Sequence, residues 1–189
     1  MKIVFFGSAH FAVPALEGLI RNKHKVLCVV TQPDKKKGRH LHLGATDVKQ
    51  TAIKAGLNVF QPVDINTSQS VRFLTALDAD IFIIVAYGQL LSQEVLDIPK
   101  IFPINIHASL LPKYRGAAPI NWAIIKGEKF TGVTIMQVTR KMDSGAIIAQ
   151  RETEIKTEDD AVSVEERLQQ IGAELLLKML PDIKENRIS

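Results

Sequence analysis

Ile81-Phe82-Ile83-Ile84-Val85-Ala86 is apolar at every position. A strand with one wet face would alternate apolar with polar residues, so this run reads as a strand buried on both faces. The same texture recurs at Ile3–Phe6, Val26–Val30 and Ile101–Ile106, with a shorter strand at Asn58–Phe60. Between these runs the spacing turns helical. Phe11–Ile20 carries Phe11, Leu16, Leu19 and Ile20 on one face, Thr46–Ala55 is closed by Gly56, and Ser68–Leu77 follows. Strands that alternate with helices and lack a polar face predict an α/β fold, a mostly parallel sheet with helices on both faces. Ligands in such folds bind beyond the carboxyl ends of the strands.

After residue 106 the rhythm changes. Ala118–Ile125 reads as a helix ending at Gly127, and Thr131–Val138 alternates as a strand with Val133, Ile135 and Gln137 on one face. Ala146–Ile155 reads as its partner strand, joined through Thr139–Gly145. A last helix runs from Asp160 to Leu180 on a stripe of Val164, Leu168, Ile171, Leu175 and Leu176, with Pro181 as its stop.

The 189 residues, 46% hydrophobic and 23% charged, suit one domain with a sizeable core. No apolar run approaches the roughly 20 residues that span a bilayer, and Met1–Gly7 reads as a first strand rather than a signal peptide. The single cysteine, Cys28, lies in a strand-like run and reads as a small buried hydrophobe. These features lead us to expect a cytoplasmic protein without a membrane partner, and no feature demands a protein partner. A net charge of +4 is a mild bias toward anionic partners such as folate, nucleotide or RNA.

The densest chemistry lies in Asn105-Ile106-His107-Ala108-Ser109-Leu110-Leu111-Pro112-Lys113-Tyr114-Arg115-Gly116. Asn105 and His107 leave the same face of a strand just before a Pro/Gly-punctuated loop. A carboxamide beside an imidazole suits chemistry at a carbonyl, one group donating to an oxyanion while the other moves a proton. The ordinary alternative is a capped turn and a core histidine. Asp143, in the turn Met142-Asp143-Ser144-Gly145, is by default a surface turn residue; folded back onto the strand, it would orient the imidazole or take up its proton.

Other motifs are weaker. Gly7-Ser8-Ala9-His10 opens a helix but has neither the G-x-G-x-x-G nor the G-K-[ST] spacing, which argues against NAD and ATP and leaves a tight turn with Ser8 as helix cap. His40 and His42 have no Cys, Asp or Glu at ligand spacing, so no metal is expected. Lys35, Lys36, Lys37 and Arg39 face only Asp34 in opposition, which makes a solvated loop or an electrostatic arm for phosphates. There is no G-x-S-x-G elbow, and Cys28 is a poor nucleophile where it lies.

Taken together, Asn105-x-His107, Ser109 to Pro119, Gly132-Val133-Thr134 and Met142 to Gly145 resemble the 10-formyltetrahydrofolate-dependent formyltransferases. Met1–Gly7 with Phe11-Ala12-Val13-Pro14, Thr31-Gln32-Pro33-Asp34 before the basic loop, and Val85-Ala86-Tyr87-Gly88 are similar to the members that formylate methionyl initiator tRNA. The resemblance implies a Rossmann-like fold over residues 1–189 as catalytic domain, with a C-terminal tRNA-binding β-barrel lying outside this chain. It implies Asn105, His107 and Asp143 as the catalytic set. It implies folate held by Ser109, Leu110, Leu111 and Pro112 and by the backbone around Tyr87, Gly88, Gln89 and Leu90. Lys35, Lys36, Lys37, Arg39 and Arg115 would meet the tRNA, 10-formyltetrahydrofolate would be the formyl donor, and no metal would be needed. This chain departs from the family where Ser8-Ala9 replaces the usual Thr-Pro and where the basic loop continues His40-Leu41-His42-Leu43-Gly44. The rival readings are a formyltransferase for an amino-sugar nucleotide, a deformylating hydrolase, and a folate- or RNA-binding fragment inactive through truncation.

Overall fold

The computed structural model describes residues 1–37, 42–185 and 187. In chain order the elements are β1 (Lys2–Gly7), a 3₁₀ turn (His10–Ala12), α1 (Val13–Arg21), β2 (Lys25–Val30), β3 (Lys35–Lys37), β4 (His42–Gly44), α2 (Asp47–Lys54), β5 (Val59–Phe60) and α3 (Ser68–Ala76). There follow β6 (Ile81–Val85), α4 (Gln93–Leu96), β7 (Pro103–His107), α5 (Pro119–Ile125), β8 (Phe130–Gln137), β9 (Ile147–Glu154) and α6 (Ala161–Lys184).

A seven-stranded sheet in the order β5-β2-β1-β6-β7-β8-β9 forms the spine. The pairs from β5 through β7 are parallel, and β8 and β9 extend the sheet antiparallel. The chain moves from β1 outward to β2 and β5, then crosses back to β6 on the other side of β1. That reversal, between β1 and β6, is where an open α/β sheet forms a crevice at its carboxyl edge. Gly7, Val85 and His107 end their strands at this edge.

Both faces of the central strands are buried, which is why their sequences carry no polar alternation. Ile3, Phe5, Ile81, Ile83, Ile104 and Ile106 pack with Leu16 and Leu19 of α1 and Leu176 and Leu180 of α6. Val4, Phe6 and Phe82 pack on the opposite face with Leu74 of α3 and Val95 of α4. Each such side chain contributes about 1.5–3 kcal/mol by leaving water. Local signals agree with this packing. Thr46 caps α2 by accepting from the Lys49 amide, Thr67 caps α3 by accepting from Ser70, and Asp160 and Ser163 form a reciprocal capping box on α6.

Four segments differ from the sequence expectation. α6 runs through Pro181 to Lys184, because Leu180 and Ile183 are both buried in the core and hold the last turn despite the missing amide. The basic segment contains a short antiparallel hairpin, β3 against β4, pairing Lys35 with Gly44. A lysine-rich strand has no hydrophobic period to reveal it. The first helix begins with a 3₁₀ turn and becomes α-helical only at Val13, with Pro14 in its first turn. The short helix α4 has no counterpart in the sequence expectation.

No helix among the described residues is long and apolar enough to cross a membrane.

Candidate active site

The carboxyl edge is tied together from its backbone. The amides of Ser8 and Ala9 both donate to the Ala86 carbonyl, at 3.2 and 3.3 Å, joining the exits of β1 and β6. Ser8 is not the helix cap expected from the sequence: the first-turn helix has no side-chain cap. Its hydroxyl instead donates to the Tyr87 carbonyl at 2.9 Å and accepts from the Gln32 amide at 3.0 Å. One oxygen thus links the exits of β1, β2 and β6.

Asn105 and His107 lie on β7, opposite Met136 and Thr134 of β8. Since Ile104 and Ile106 point into the core with α1 and α6, the alternation of the strand directs Asn105 and His107 to the other face. His107 Nε2 lies 3.0 Å from the Tyr114 carbonyl. A carbonyl can only accept, so Nε2 carries hydrogen there and Nδ1 is the nitrogen left for chemistry. Nδ1 stands 3.6 Å from Asp143 Oδ2, with side-chain exposures of only 8% and 10%. The same Oδ2 accepts from the Gly116 amide at 2.7 Å. Thus the loop after β7 holds the imidazole through one backbone group and the carboxylate through another. Tyr114, Gly116 and Asp143 all have positive φ, at 56°, 85° and 46°. For the two non-glycine residues this conformation is strained and persists only where the surroundings impose it.

These groups border a cavity of about 760 Å³ lined by Asn105, His107 and Asp143 together with Tyr87, Gly88, Gln89 and Leu90. Among the described residues the Asn105 carboxamide has no hydrogen-bond partner, which leaves its N–H groups to donate into the cavity. Gln89 turns its side chain away, accepting from the Ile65 amide at 2.9 Å and donating to the Val63 carbonyl at 3.1 Å. What Gln89 offers the cavity is therefore backbone. Tyr87 is 2% exposed and sits edge-on to Phe6, its hydroxyl without a partner among the described residues.

Ser109, Leu110, Leu111 and Pro112 do not line this cavity. Ser109 and Leu111 are buried, while Leu110 and Pro112 border a second cavity on the far side of the loop. Their hydrogen bonds explain the displacement. The buried Thr134 hydroxyl donates to the Ser109 carbonyl at 2.6 Å and accepts from the Leu111 amide at 3.1 Å and from Gln150 Nε2 at 2.9 Å. Gln150 also donates to the Leu111 carbonyl at 2.8 Å. This segment is clamped to β8 and β9 and sets the course of the chain toward Tyr114.

Of the basic residues, Lys35 lies exposed at the start of the hairpin, and Lys36 and Lys37 continue its first strand. Arg39 and His40 lie outside the described residues. Asp34 is already committed: Lys49 Nζ reaches its two oxygens at 2.9 and 2.7 Å, and Gln61 Nε2 donates to it at 2.8 Å. The Gln61 bond and the Lys49 ammonium hold its carboxyl below the usual range, and its negative charge is met by Lys49 rather than by the lysines that follow. Arg115 is exposed directly before Gly116. Among the described residues no group of His, Cys, Asp and Glu is placed to hold a metal ion.

Sequence reasoning missed the backbone partners, the Tyr114 carbonyl and the Gly116 amide. The one signal for them was the glycine, a residue suited to positive φ.

Known proteins resemble this chain in sequence and in fold. The family model described as formyl transferase matches residues 1–180. The methionyl-tRNA formyltransferase of Thermodesulfovibrio yellowstonii is 46% identical over 187 residues, covering 99% of this chain and 61% of that protein. Its counterpart from a Sulfurihydrogenibium species is 45% identical over 189 residues, covering 100% and 61%. The chain therefore spans about three fifths of the length of these curated relatives. The crystal structure of glycinamide ribonucleotide transformylase 1 from Symbiobacterium toebii superposes with a TM-score of 0.82 at 20% identity, over 99% of this chain and 89% of that one. At that identity the likeness is one of fold.

Proposed function

This chain belongs to the formyl transferase family, and from that footing we propose that it transfers a formyl group from 10-formyltetrahydrofolate to the α-amine of methionine on initiator tRNA. Residues 1–189 act in this reading as the catalytic domain. The observation that carries it is the meeting of His107 Nδ1 and Asp143 Oδ2, 3.6 Å apart, at the wall of a cavity that Asn105 also lines.

The reaction needs an amine to add to the formyl carbon, an oxyanion to be held, and a proton to pass from the amine to the departing folate nitrogen. The Asn105 carboxamide donates to the oxyanion, having no competing partner among the described residues. His107, anchored through Nε2, presents Nδ1 to the same oxygen and moves the proton. Asp143, held by the Gly116 amide, stabilises the imidazolium and relays the proton. The backbone from Tyr87 to Leu90 and the Asp143 loop bind the folate, and both substrates gain from being held in register. Ser109 to Pro112 serve by shaping the loop. The relatives' names support methionyl-tRNA as acceptor, and the hairpin that starts at Lys35 is the surface we assign to its acceptor arm, with Arg115 nearer the reacting end.

The test is to incubate the chain, alone and extended to the length of its relatives, with 10-formyltetrahydrofolate and either methionyl initiator tRNA, an amino-sugar nucleotide or buffer. Formylation of the tRNA alone is expected. Transfer to the sugar nucleotide, or equal folate consumption in buffer, overturns the acceptor or the transferase reading respectively.

A further inference from the structure

His107 is held from behind by a carbonyl, and that carbonyl belongs to a residue in a strained conformation. Tyr114 has φ 56°, a value that costs an L-residue energy unless its neighbours impose it. The side chain of this residue is tied to Glu128. The Tyr114 hydroxyl donates to Glu128 Oε1 at 2.7 Å. Lys113 Nζ donates to both Glu128 oxygens, at 3.1 and 3.0 Å. On its other side the Lys113 carbonyl accepts from the Ser109 hydroxyl at 2.7 Å. Glu128 itself is set by the turn that ends α5, where Gly127 has φ 64° and the Glu128 amide donates to the Ala123 carbonyl at 3.0 Å.

We propose that Glu128 and the Tyr114 hydroxyl are positioning residues for formyl transfer: from outside the cavity they fix the Tyr114 carbonyl, and through it the tautomer and tilt of His107. The proposal rests on the formyl-transfer reading for its kinetic half only. Neither side chain touches the reacting atoms. Their effect passes along one peptide unit, from the Tyr114 hydroxyl on the outer surface of the loop to the carbonyl on its inner surface. The clamp is ionic at neutral pH, because the Tyr114 hydrogen bond and then the Lys113 ammonium keep the Glu128 carboxyl below the ordinary carboxylate range. With the carbonyl in place, Nε2 must carry a hydrogen and Nδ1 is turned to Asp143. With the clamp released, the ring is free to exchange tautomers and the Nδ1–Asp143 alignment loosens.

The test uses Tyr114→Phe, Glu128→Gln and the double variant, with two readouts. The first is the ¹⁵N spectrum of the His107 imidazole, assigned by its loss in His107→Ala, which reports the tautomer without any reaction. The second is kcat and KM for formyl transfer. We expect each single variant to alter the Nε2–H signal and to lower kcat about tenfold while KM for the folate stays within twofold. The double variant should be no worse than the poorer single one, because both act on one carbonyl. Glu128→Asp, which keeps the charge, should recover part of the imidazole signature. An unchanged imidazole spectrum in both single variants overturns the proposal, even if they lower urea stability, since a merely structural clamp would do only that. If the imidazole responds but no formyl transfer is seen in the unaltered chain and its extended form, positioning stands and the reaction assignment falls.

Discussion

Asp143 Oδ2 lies 3.6 Å from His107 Nδ1 while accepting from the Gly116 amide at 2.7 Å. The carboxylate is therefore oriented by backbone, and the imidazole faces an acceptor that is already aligned. In the proposed reaction His107→Ala removes the proton carrier, and Asp143→Asn removes the charge that stabilises the imidazolium. Each is expected to lower turnover by roughly 100-fold or more, the usual scale for a lost acid–base or oxyanion group. Steady-state assays on the extended chain, with a thermal melt alongside, check this. Near-unaltered transfer in either variant removes that residue from the set.

Gly145 closes the loop that carries Asp143. A Cβ at this position would fall well inside contact distance of the Gln137 carbonyl oxygen, a rigid backbone atom. Gly145→Ala must therefore push the loop off β8. Overpacking of this kind costs roughly 1–3 kcal/mol, and a displacement of about 1 Å at a catalytic group costs on the order of 100-fold in rate. Activity should fall far more than the melting temperature indicates. A variant with full activity would show that the loop does not need its present course.

Much of this was legible in the sequence, and the reasons are physical. Ile81–Ala86 announces a doubly covered strand because both of its faces must be apolar, and Asn105 and His107 share a face because a strand has period two. Asp143 could be nominated only as a turn residue that would have to fold back, a place the resemblance then implied, since no local pattern brings residue 143 to residue 107. The Tyr114 carbonyl and the Gly116 amide were not legible, because a backbone group has the same chemistry at every position. Glu128 was invisible for another reason: it reaches Tyr114 across a turn that only the packed fold creates. Ser109 to Pro112, which the resemblance implied as folate contacts, are held against the sheet by Thr134 and Gln150, bonds that no spacing in the sequence reveals.

That network predicts a stability effect. Thr134 is fully buried, and its hydroxyl serves the Ser109 carbonyl, the Leu111 amide and Gln150 at once. Thr134→Val keeps the shape and leaves buried polar groups without their partner, each worth about 1–3 kcal/mol when unsatisfied. A loss of roughly 2–4 kcal/mol in urea unfolding is expected. Gln150→Ala should cost less, because Gln150 is exposed and Thr134 keeps its bonds to the Ser109 carbonyl and the Leu111 amide, so only the Leu111 carbonyl loses its partner. Equal effects from the two substitutions would contradict the ranking.

Cys28 is 1% exposed, and burial pushes its thiol up from 9.0 to about 11. Two consequences follow. In the folded chain at pH 8 the thiol stays protonated and covered, so a disulfide reagent should label it only as fast as the protein unfolds. The pH dependence has a definite sign. The unfolded chain ionises near pH 9 and the folded chain near 11, so between those values the unfolded state binds fewer protons and stability falls as pH rises. Below pH 9 the thiol contributes no slope. A shift of this size corresponds to on the order of 2 kcal/mol by the upper end of the window, and burial pushes Tyr87 in the same direction. Urea midpoints at pH 8, 9.5 and 10.5 should decline across the last two, and Cys28→Ala should flatten part of that decline whatever its effect at pH 8. Rapid labelling of the native chain at pH 8, or an alkaline slope that Cys28→Ala leaves untouched, would contradict the burial assigned to this strand.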